Sequence, residues 1–282
     1  MPGSARNTLT NLYKILPEPF QDYIRKNSLA NYAYKTSIVL DYGKQPIKDS
    51  INYIINSEET TNFSYRLTEL NKKQLAGFVS DIVDIPIEEA EEYINEIEND
   101  EKLREHIRNN ASKSDFQDPK FGRRIGWYAL VRASEPQLVV ESGVKDGLGT
   151  CVIASALTKN DTGKVIGIDN TQSSGILFSK PYSEFGEISI NNSVEKLEEF
   201  EEKIDIFIHD SKHTKAHIQN ELEAIESNIN SASLLISDAS HHSDVFYNYS
   251  KENDRKYLFF KEEVDSHWYP GGGIGVSFKD NL

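Results

Sequence analysis

Two polar segments in the second half of the chain combine histidine with aspartate, residue types that exchange protons or hold them in place. Each segment follows a short apolar run typical of a buried strand, and the two read "HDSKHTKAH" and "DASHHSD". Their histidines and aspartates, in chain order, are His209, Asp210, His213, His217, Asp238, His241, His242 and Asp244. Such side chains at the ends of strands can remove a proton from a bound hydroxyl group.

Within these segments we predict His213 and His241 as general-base candidates, with Asp210 as a third catalytic residue. His209 alternates with the apolar residues of its strand, so its side chain is expected to be buried. His217 lies four residues after His213, and on a helix that spacing places both rings on one face. We therefore expect His217 to support His213.

A third segment, "VVESGVKDGLGT", passes from an apolar strand through a carboxylate into a glycine-rich turn. Gly143 and Gly147 would let the backbone approach a ligand closely, and Gly149 would let the following helix pack tightly. A dinucleotide fingerprint has the order Gly-x-Gly-x-x-Gly and places pyrophosphate at a helix N-terminus. Here the order is Gly-x-x-x-Gly-x-Gly, and Glu141 precedes it. A carboxylate beside the turn disfavours a pyrophosphate and suits a ligand that carries an ammonium group.

The next predicted strand ends at Asp169, in "KVIGIDN". An acid at that position can accept hydrogen bonds from the hydroxyls of a ribose. An adenosine that carries an amino acid satisfies Glu141 and Asp169 together, and S-adenosylmethionine is such a ligand. A nicotinamide oxidoreductase on a similar sheet is the alternative, and the order of the glycines counts against it.

These segments belong to an alternation of strands and helices that fills the second half of the chain. Seven apolar runs predict strands: "QLVVES", "KVIGID", "EISIN", "IDIFIHD", "SLLISD", "KYLFFKEE" and "GIGVSFK". Helical patterns between the earlier strands indicate an α/β fold, a Rossmann-like and mostly parallel sheet with helices on both faces. No clear helix separates the last two strands, so we expect them to form an antiparallel hairpin at the sheet edge.

The first half of the chain predicts helices up to about Ser112. "PIKDSINYIINS" and "SYRLTELNKKQLAGFVSDIVD" carry apolar residues at helical spacing, and "IEEAEEYINEIENDEKLREHI" predicts an acidic, solvated helix. "NNASKSDFQDPKFG" is polar and contains Pro119 and Gly122, which indicates a linker. We therefore predict a helical region at residues 1–115, which caps the site or forms a homodimer surface, and a Rossmann-like domain at residues 116–282.

With these motifs the stretch from Phe121 to Lys279 resembles the class I S-adenosylmethionine-dependent methyltransferases, and small-molecule O-methyltransferases in particular. The likeness rests on "FGRRIGWYALVRA", "VVESGVKDGLG" and "IDIFIHDSKHT". The resemblance implies a cofactor site made of Glu141, Gly143, Gly147, Gly149, Asp169, Asn192, Ser193 and Asp210. It places Asn192 and Ser193 at the adenine, and Asp210 between the methionine moiety and the acceptor. The family's proline-glycine turn before the fifth strand is replaced by "NINSAS", and the helical first half matches no motif of the family.

The resemblance also raises the question of a divalent metal. Some catechol-type O-methyltransferases bind Mg²⁺ through two aspartates at these strand ends and an asparagine directly after the second, and oxygen ligands suit that ion. Asp210 and Asp238 match the aspartates, but Ala239 stands where the asparagine would be. Ser240 or a histidine could complete the set, and histidines equally favour a softer ion. Whether the protein binds a metal is left open, and removal of the acceptor proton by a histidine is the preferred mechanism.

The composition limits the partners of the protein. With 31 Lys and Arg against 45 Asp and Glu, the formal net charge is -14, which disfavours nucleic acid and anionic membrane surfaces. The one cysteine, Cys151, lies in an apolar pattern and is expected to be a buried thiol in a reducing compartment. No run is apolar enough for a signal sequence or a membrane span. We expect a soluble cytoplasmic protein that forms a homo-oligomer.

The sequence therefore predicts an enzyme that transfers a methyl group from S-adenosylmethionine to a small-molecule acceptor. A hydroxyl is the preferred acceptor group, and an amine stays open. A non-catalytic member that binds only the cofactor or a partner is a second alternative. Near the C-terminus, "DSHWYPGGGIGVSF" gathers His267, Trp268 and Tyr269 beside three glycines. A turn with packed aromatic side chains is the preferred interpretation, and an aromatic flap over the acceptor is the alternative.

Overall fold

The computed structural model describes residues 28–42, 51, 54–55, 64–111, 119–238, 240–265, 267, 269 and 271–280. Ile47 of the first predicted helix and Trp268 of the aromatic segment lie outside these residues, as does the predicted boundary at residue 115. Among the described residues, no helix combines the length and the apolar character needed to cross a membrane.

The described part of the first half is helical, as predicted. Its helices are α1 (Ser28–Tyr42), α2 (Glu69–Val83), α3 (Ile87–Glu98) and α4 (Glu101–Asn110). The long acidic helix predicted from Ile87 is divided in two, because the Asp100 side chain accepts from the Leu103 backbone N–H and caps a new helix there.

The helix predicted from Ser64 begins later than its apolar pattern indicated. Thr68 caps α2 by accepting from the backbone N–H of Asn71, so the residues before it are free to form other structure. Arg66–Leu67 form the short strand β1, which pairs antiparallel with β8 (Val264–Asp265). Leu70, expected on the apolar face, is 62% exposed.

The second half forms the predicted seven-stranded sheet. Its strands are β2 (Leu138–Ser142), β3 (Lys164–Asp169), β4 (Gly186–Ile190), β5 (Ile206–His209), β6 (Leu234–Ser237), β7 (Lys256–Lys261) and β9 (Gly273–Phe278). Their spatial order is β4-β3-β2-β5-β6-β9-β7. The pairs from β4 to β6 are parallel, whereas β9 runs antiparallel to both β6 and β7. The prediction of a mostly parallel Rossmann-like sheet is confirmed, and β7 and β9 form the expected antiparallel pair.

Helices cover both faces of this sheet. They are α5 (Arg124–Ser134), α6 (Leu148–Asn160), α7 (Ser193–Glu198), α8 (Lys215–Ile225) and α9 (Val245–Glu252). Val139 packs with α2–α6 in one core, and its neighbour Val140 packs with α7–α9 in the other, because successive strand residues point to opposite faces. Helices α2–α4 thus share a core with α5 and α6.

The parallel strands end together at one edge of the sheet. Ser142, His209 and Ser237 lie at the same level of the neighbouring strands β2, β5 and β6. The backbone then continues the ladder for one more bond, since the N–H groups of Asp210 and Asp238 donate to the carbonyls of Ser142 and His209. Both predicted polar segments and the glycine turn therefore leave the sheet side by side, where ligands bind in open α/β sheets.

Candidate active site

A cavity of about 870 Å³ opens at the carboxyl edge of the sheet, within the size range of small-molecule sites. Its lining includes Glu141, Gly143, Gly149, Asp169, Asn192, Ser193, Asp210, His213, Asp238 and His241. Gly147 is the one predicted site residue that does not line it. Tyr269, from the C-terminal aromatic segment, also reaches the cavity.

The glycines of the turn are required by geometry. Gly143 has φ 91°, and a Cβ there would lie 2.3 Å from the carbonyl oxygen of Asp210. Gly147 has φ 94° and caps the start of α6. At Gly149 a Cβ would lie 2.2 Å from Oε1 of Glu141. Any larger residue at these positions would therefore push the turn away from the sheet edge or displace the Glu141 carboxylate.

Glu141 is almost fully buried beneath the turn, with an exposure of 1%. The Thr150 hydroxyl donates a hydrogen bond to its carboxylate. Burial raises the pKa of Glu141 to about 7, and the Thr150 bond only partly opposes this rise. A cationic ligand group nearby would favour the ionised form of Glu141.

Asp169, at the end of β3, accepts hydrogen bonds from the backbone of the glycine turn. Its Oδ2 accepts from the backbone N–H groups of Val144 and Lys145 at 3.0 and 2.9 Å, and its Oδ1 accepts from that of Thr171 at 2.9 Å. Partial burial raises the pKa of Asp169, but the backbone bonds outweigh it and hold the pKa below its usual value. The carboxylate therefore shapes the cavity beside the glycine turn, and its bond to a ribose stays a prediction.

Asn192 and Ser193 form the start of α7. The Asn192 side chain accepts from the Val194 backbone N–H at 3.0 Å and caps the helix. The Ser193 hydroxyl donates to Glu221 at 2.5 Å. Both residues line the cavity, and their contact with adenine stays a prediction.

Glu221 is a buried polar centre that the sequence analysis missed. Its carboxylate lies 2.6 Å from Nδ1 of His209 and 2.9 Å from Nε2 of His217, and it accepts from the hydroxyls of Ser142, Ser193 and Ser211. Burial raises the pKa of Glu221, but the bonds from the two histidines outweigh it and hold the pKa well below its usual range. The available signal was an acid within the apolar face of α8, beside Leu222.

The two neighbouring histidines follow from this centre. His209 is fully buried, as predicted. The prediction that His217 supports His213 from the same helix face is wrong, because α8 begins only at Lys215. His213 lies ahead of the helix, while His217 contacts Glu221 and Ser211 instead.

Arg123, which also lines the cavity, joins three buried residues from distant parts of the chain. Its Nε and Nη2 donate to the two oxygens of Asp238, and its Nη1 donates to Glu262 at 3.0 Å and to the Tyr65 hydroxyl at 2.7 Å. The Tyr65 hydroxyl itself donates to Glu262 at 2.8 Å. Sequence reasoning missed this cluster, although paired arginines at the start of an apolar helix were a visible signal.

Asp210 and Asp238 sit beside each other with opposite pKa shifts. Burial and the charge of Asp238 raise the pKa of Asp210 well above its usual range. Burial also acts to raise the pKa of Asp238, but the Arg123 guanidinium outweighs it and holds that pKa below its usual range. Asp238 therefore keeps its negative charge more readily than Asp210 does.

The two base candidates line the same cavity. Nε2 of His213 is 3.9 Å from Oδ1 of Asp210, and the ring is 37% exposed. Burial lowers the pKa of His213, and burial together with the charge of the neighbouring His242 lowers the pKa of His241 to about 4. Both rings are therefore neutral at pH 7 and able to accept a proton.

The candidate metal ligands do not fit a metal ion as they are arranged. Asp210, His213 and Asp238 each place one ligand atom within 4.8 Å of the others, which is the spacing of a metal site. Both oxygens of Asp238, however, already accept from Arg123. Ala239, at the position of the missing third ligand, lies outside the described residues.

Comparison with known proteins finds a family model that matches part of the second half of the chain. Residues 140–240 match a family model described as a methyltransferase domain. The matched segment runs from β2, before the glycine turn, to the second polar segment after β6. A search of curated proteins found no match.

Solved structures share parts of the architecture. An O-methyltransferase from Bacillus cereus, in complex with SAH, is 13% identical with a TM-score of 0.45, over 75% of this chain and 99% of the other. TomG, an O-methyltransferase from Streptomyces achromogenes in complex with SAM, is 12% identical with a TM-score of 0.48, over 65% and 91%. A methyltransferase from Geobacter sulfurreducens is 18% identical with a TM-score of 0.43, over 54% and 75%.

Proposed function

We propose that this chain, which is a class I S-adenosylmethionine-dependent methyltransferase, methylates a hydroxyl group of a small molecule. The observation that carries the proposal is the pair of neutral histidines that line the same cavity as Glu141 and the glycine turn. A hydroxyl must lose its proton during methylation, and an uncharged imidazole is suited to accept it.

The cofactor end of the cavity is assigned to the glycine turn and the acids around it. When bound, S-adenosylmethionine supplies an electrophilic methyl group on a positively charged sulfur. Glu141, Gly143, Gly149 and Asp169 line the end where the amino-acid and ribose parts would lie, and Asn192 and Ser193 line the adenine end. Gly147 acts indirectly, by setting the conformation from which α6 begins.

His213 is the preferred base at the acceptor end. With S-adenosylmethionine bound, the acceptor hydroxyl would take up the methyl group that the cofactor supplies, and the proton that it loses would pass to the neutral ring of His213. Asp210, 3.9 Å from Nε2 of His213, orients the acceptor or the ring. His241 is the second candidate, since it lines the same cavity and is also neutral.

A labelling experiment tests this function. The protein is incubated with methyl-labelled S-adenosylmethionine and the small-molecule fraction of a cell extract, and carbon NMR of the labelled product separates methyl on oxygen from methyl on nitrogen. Label on oxygen supports the proposal, and label on nitrogen alone contradicts the hydroxyl acceptor. The matched control is His213→Ala.

Calorimetry addresses the two alternative functions. S-adenosylhomocysteine is expected to bind and NAD is not, and a ligand at a hundred times its dissociation constant adds about 2.7 kcal/mol of stability. NAD binding in place of S-adenosylhomocysteine would favour an oxidoreductase. Binding of S-adenosylhomocysteine without any turnover would favour a non-catalytic member.

We also propose that the helical region at residues 1–115 forms a homodimer surface. Its described part carries exposed apolar side chains: Leu29, Tyr32, Ile51, Ile55, Leu70 and Ile87. A second copy of the chain would cover them if they form one contiguous patch, the kind of surface that marks an interface. Light scattering after gel filtration is expected to give a dimer mass, and a monomer at micromolar concentration would contradict it.

A further inference from the structure

A three-ligand cluster lies at the ends of β5 and β6, facing the acceptor end of the cavity. Asp210, His213 and Asp238 offer ligand atoms within 4.8 Å of one another. Carboxylates gathered in this way attract a divalent cation, and oxygen donors are the usual ligands of Mg²⁺. A metal ion or a cationic side chain could balance the negative charge of this cluster.

Arg123 already provides a cation at this position. Its planar guanidinium presents two N–H groups to the two oxygens of Asp238, and it is 7% exposed. An arginine fork matches a carboxylate in this way and does not lose its proton in proteins. The positive charge beside Asp238 is therefore permanent.

The surroundings of Arg123 hold the guanidinium in place. Glu262, just after β7, accepts from both the backbone N–H and the Nη1 of Arg123. Tyr65 accepts from Nη1 and packs against Gly122, where a Cβ would lie 2.5 Å from the tyrosine ring. Gly122 has φ 52°, a conformation that favours glycine. Three separate parts of the chain thus fix one side chain.

We propose that Arg123 takes the place of a divalent metal at the ends of β5 and β6, and that methyl transfer by this protein needs no metal ion. This inference rests on the proposed function for the reaction, but metal exclusion is a property of the protein alone. Arg123 acts as a positioning residue: it holds Asp238 ionised and leaves Asp210 and His213 to face the acceptor. Removal of the acceptor proton then falls to a histidine and not to a metal-bound oxygen.

Mn²⁺ titration followed by electron paramagnetic resonance tests the exclusion without any acceptor. The wild-type protein is expected to bind no Mn²⁺ below about millimolar concentration. Arg123→Gln opens the three-ligand cluster and is expected to bind Mn²⁺ at least tenfold more tightly. Arg123→Gln with Asp238→Asn is expected to lose that gain. Arg132→Gln is the matched control, because Arg132 lies on α5, the helix that Arg123 precedes, and pairs with Glu96 at 2.9 Å, and neither residue lines the cavity.

Binding of S-adenosylhomocysteine, measured by calorimetry on each variant, reports whether the cofactor end is intact. Arg123→Gln with Glu262→Gln serves as a second variant, because it leaves one fewer unpaired carboxylate if Arg123→Gln does not fold. Stoichiometric Mn²⁺ binding by the wild type, abolished in Asp238→Asn, would overturn the proposal, and this measurement needs no Arg123 variant. A folded Arg123→Gln variant with no gain in Mn²⁺ affinity would also contradict it.

Activity adds a separate readout once an acceptor is found. Prolonged treatment with a chelator is expected to change kcat less than twofold, and loss of activity that Mg²⁺ restores would overturn the proposal. A wild type that binds neither S-adenosylhomocysteine nor Mn²⁺ would contradict the proposed function while supporting the exclusion of the metal. The two failures are therefore distinguishable.

Discussion

The two ends of the cavity are built in different ways. The core of the cofactor end comes from one short stretch, in which β2, the glycine turn, α6 and β3 follow one another and Asp169 bonds back to the turn. The acceptor end assembles side chains from across the chain, and Tyr65 and Glu262, which share a hydrogen bond, are 197 positions apart. The first end depends mainly on backbone geometry, the second on buried charge.

This difference predicts different responses to substitution. Backbone N–H groups and glycines shape the cofactor end, so changes there should act on the turn and on cofactor affinity. At the acceptor end, removal of one partner leaves a buried charge without compensation, which is costly for the whole fold.

Removal of the base is expected to have the largest effect and to be confined to the acceptor end. His213→Ala should lower kcat by about 10²–10⁴, the usual cost of losing a general base. S-adenosylhomocysteine affinity should stay within about twofold, because the work of the base is confined to the transition state. Rates and calorimetry on His213→Ala and His241→Ala check this, and full activity in both variants would exclude the histidine route.

Loss of the Arg123 charge is expected to destabilise the fold. Arg123→Gln leaves Asp238 and Glu262 buried without their cation, and breaking such a pair costs about 3–5 kcal/mol. Arg132→Gln removes a more exposed pair with Glu96 and should cost about 1 kcal/mol or less. Urea unfolding of the two variants measures the difference, and equal free energies of unfolding would remove the proposed contrast between the two pairs.

Asp169→Ala is expected to weaken S-adenosylhomocysteine binding by roughly tenfold or more, since bonds to a charged partner are worth on the order of 1.5–3 kcal/mol. Asp169→Asn keeps a carbonyl oxygen that can accept from Val144 and Lys145, so its loss should be smaller. Asp81→Ala, at an exposed position on α2, is the control. Unchanged affinity in a folded Asp169→Ala variant would show that the hydrogen bonds from the turn to Asp169 are not needed for S-adenosylhomocysteine binding.

The pH dependence of cofactor affinity is expected to give the smallest effect. The pKa of Glu141 is raised to about 7 by burial, so below that pH most of the free protein carries the neutral acid. A cationic ligand favours the carboxylate, so binding should release a proton and affinity should rise with pH up to about 7 and then level off. The slope should not exceed tenfold per pH unit.

Calorimetry in two buffers of different ionisation enthalpy counts the released protons. Glu141→Gln is the control and should bind with little dependence on pH. A wild-type affinity that stays flat from pH 5 to pH 8 would mean that Glu141 does not sense the charge of the ligand.

In the free protein the same raised pKa acts on stability. Between the ordinary glutamate value and about 7, the folded state binds a proton that the unfolded state has lost. The contribution of Glu141 to the free energy of unfolding therefore decreases as pH rises through this range. Thermal unfolding of wild type and Glu141→Gln over that range isolates this contribution.

The sequence alone predicts those elements that are recognised from a few neighbouring residues. All seven strands of the main sheet were predicted, because buried strands are short apolar runs. The carboxylate-glycine turn and Asp169 were located for a similar reason, since a turn with positive φ needs glycine at fixed offsets. These features need no knowledge of which strands become neighbours.

Tertiary structure alone decided which charges meet. The spacing of Tyr65, Arg123, Asp238 and Glu262 does not indicate a cluster, and the position of Glu221 on the apolar face of α8 does not indicate which side chains it contacts. Their contacts depend on strand order and on the helices that cover each face, which are set by packing between distant segments. A buried charge must find its partner wherever the fold provides one, so its partner cannot be inferred from neighbouring residues.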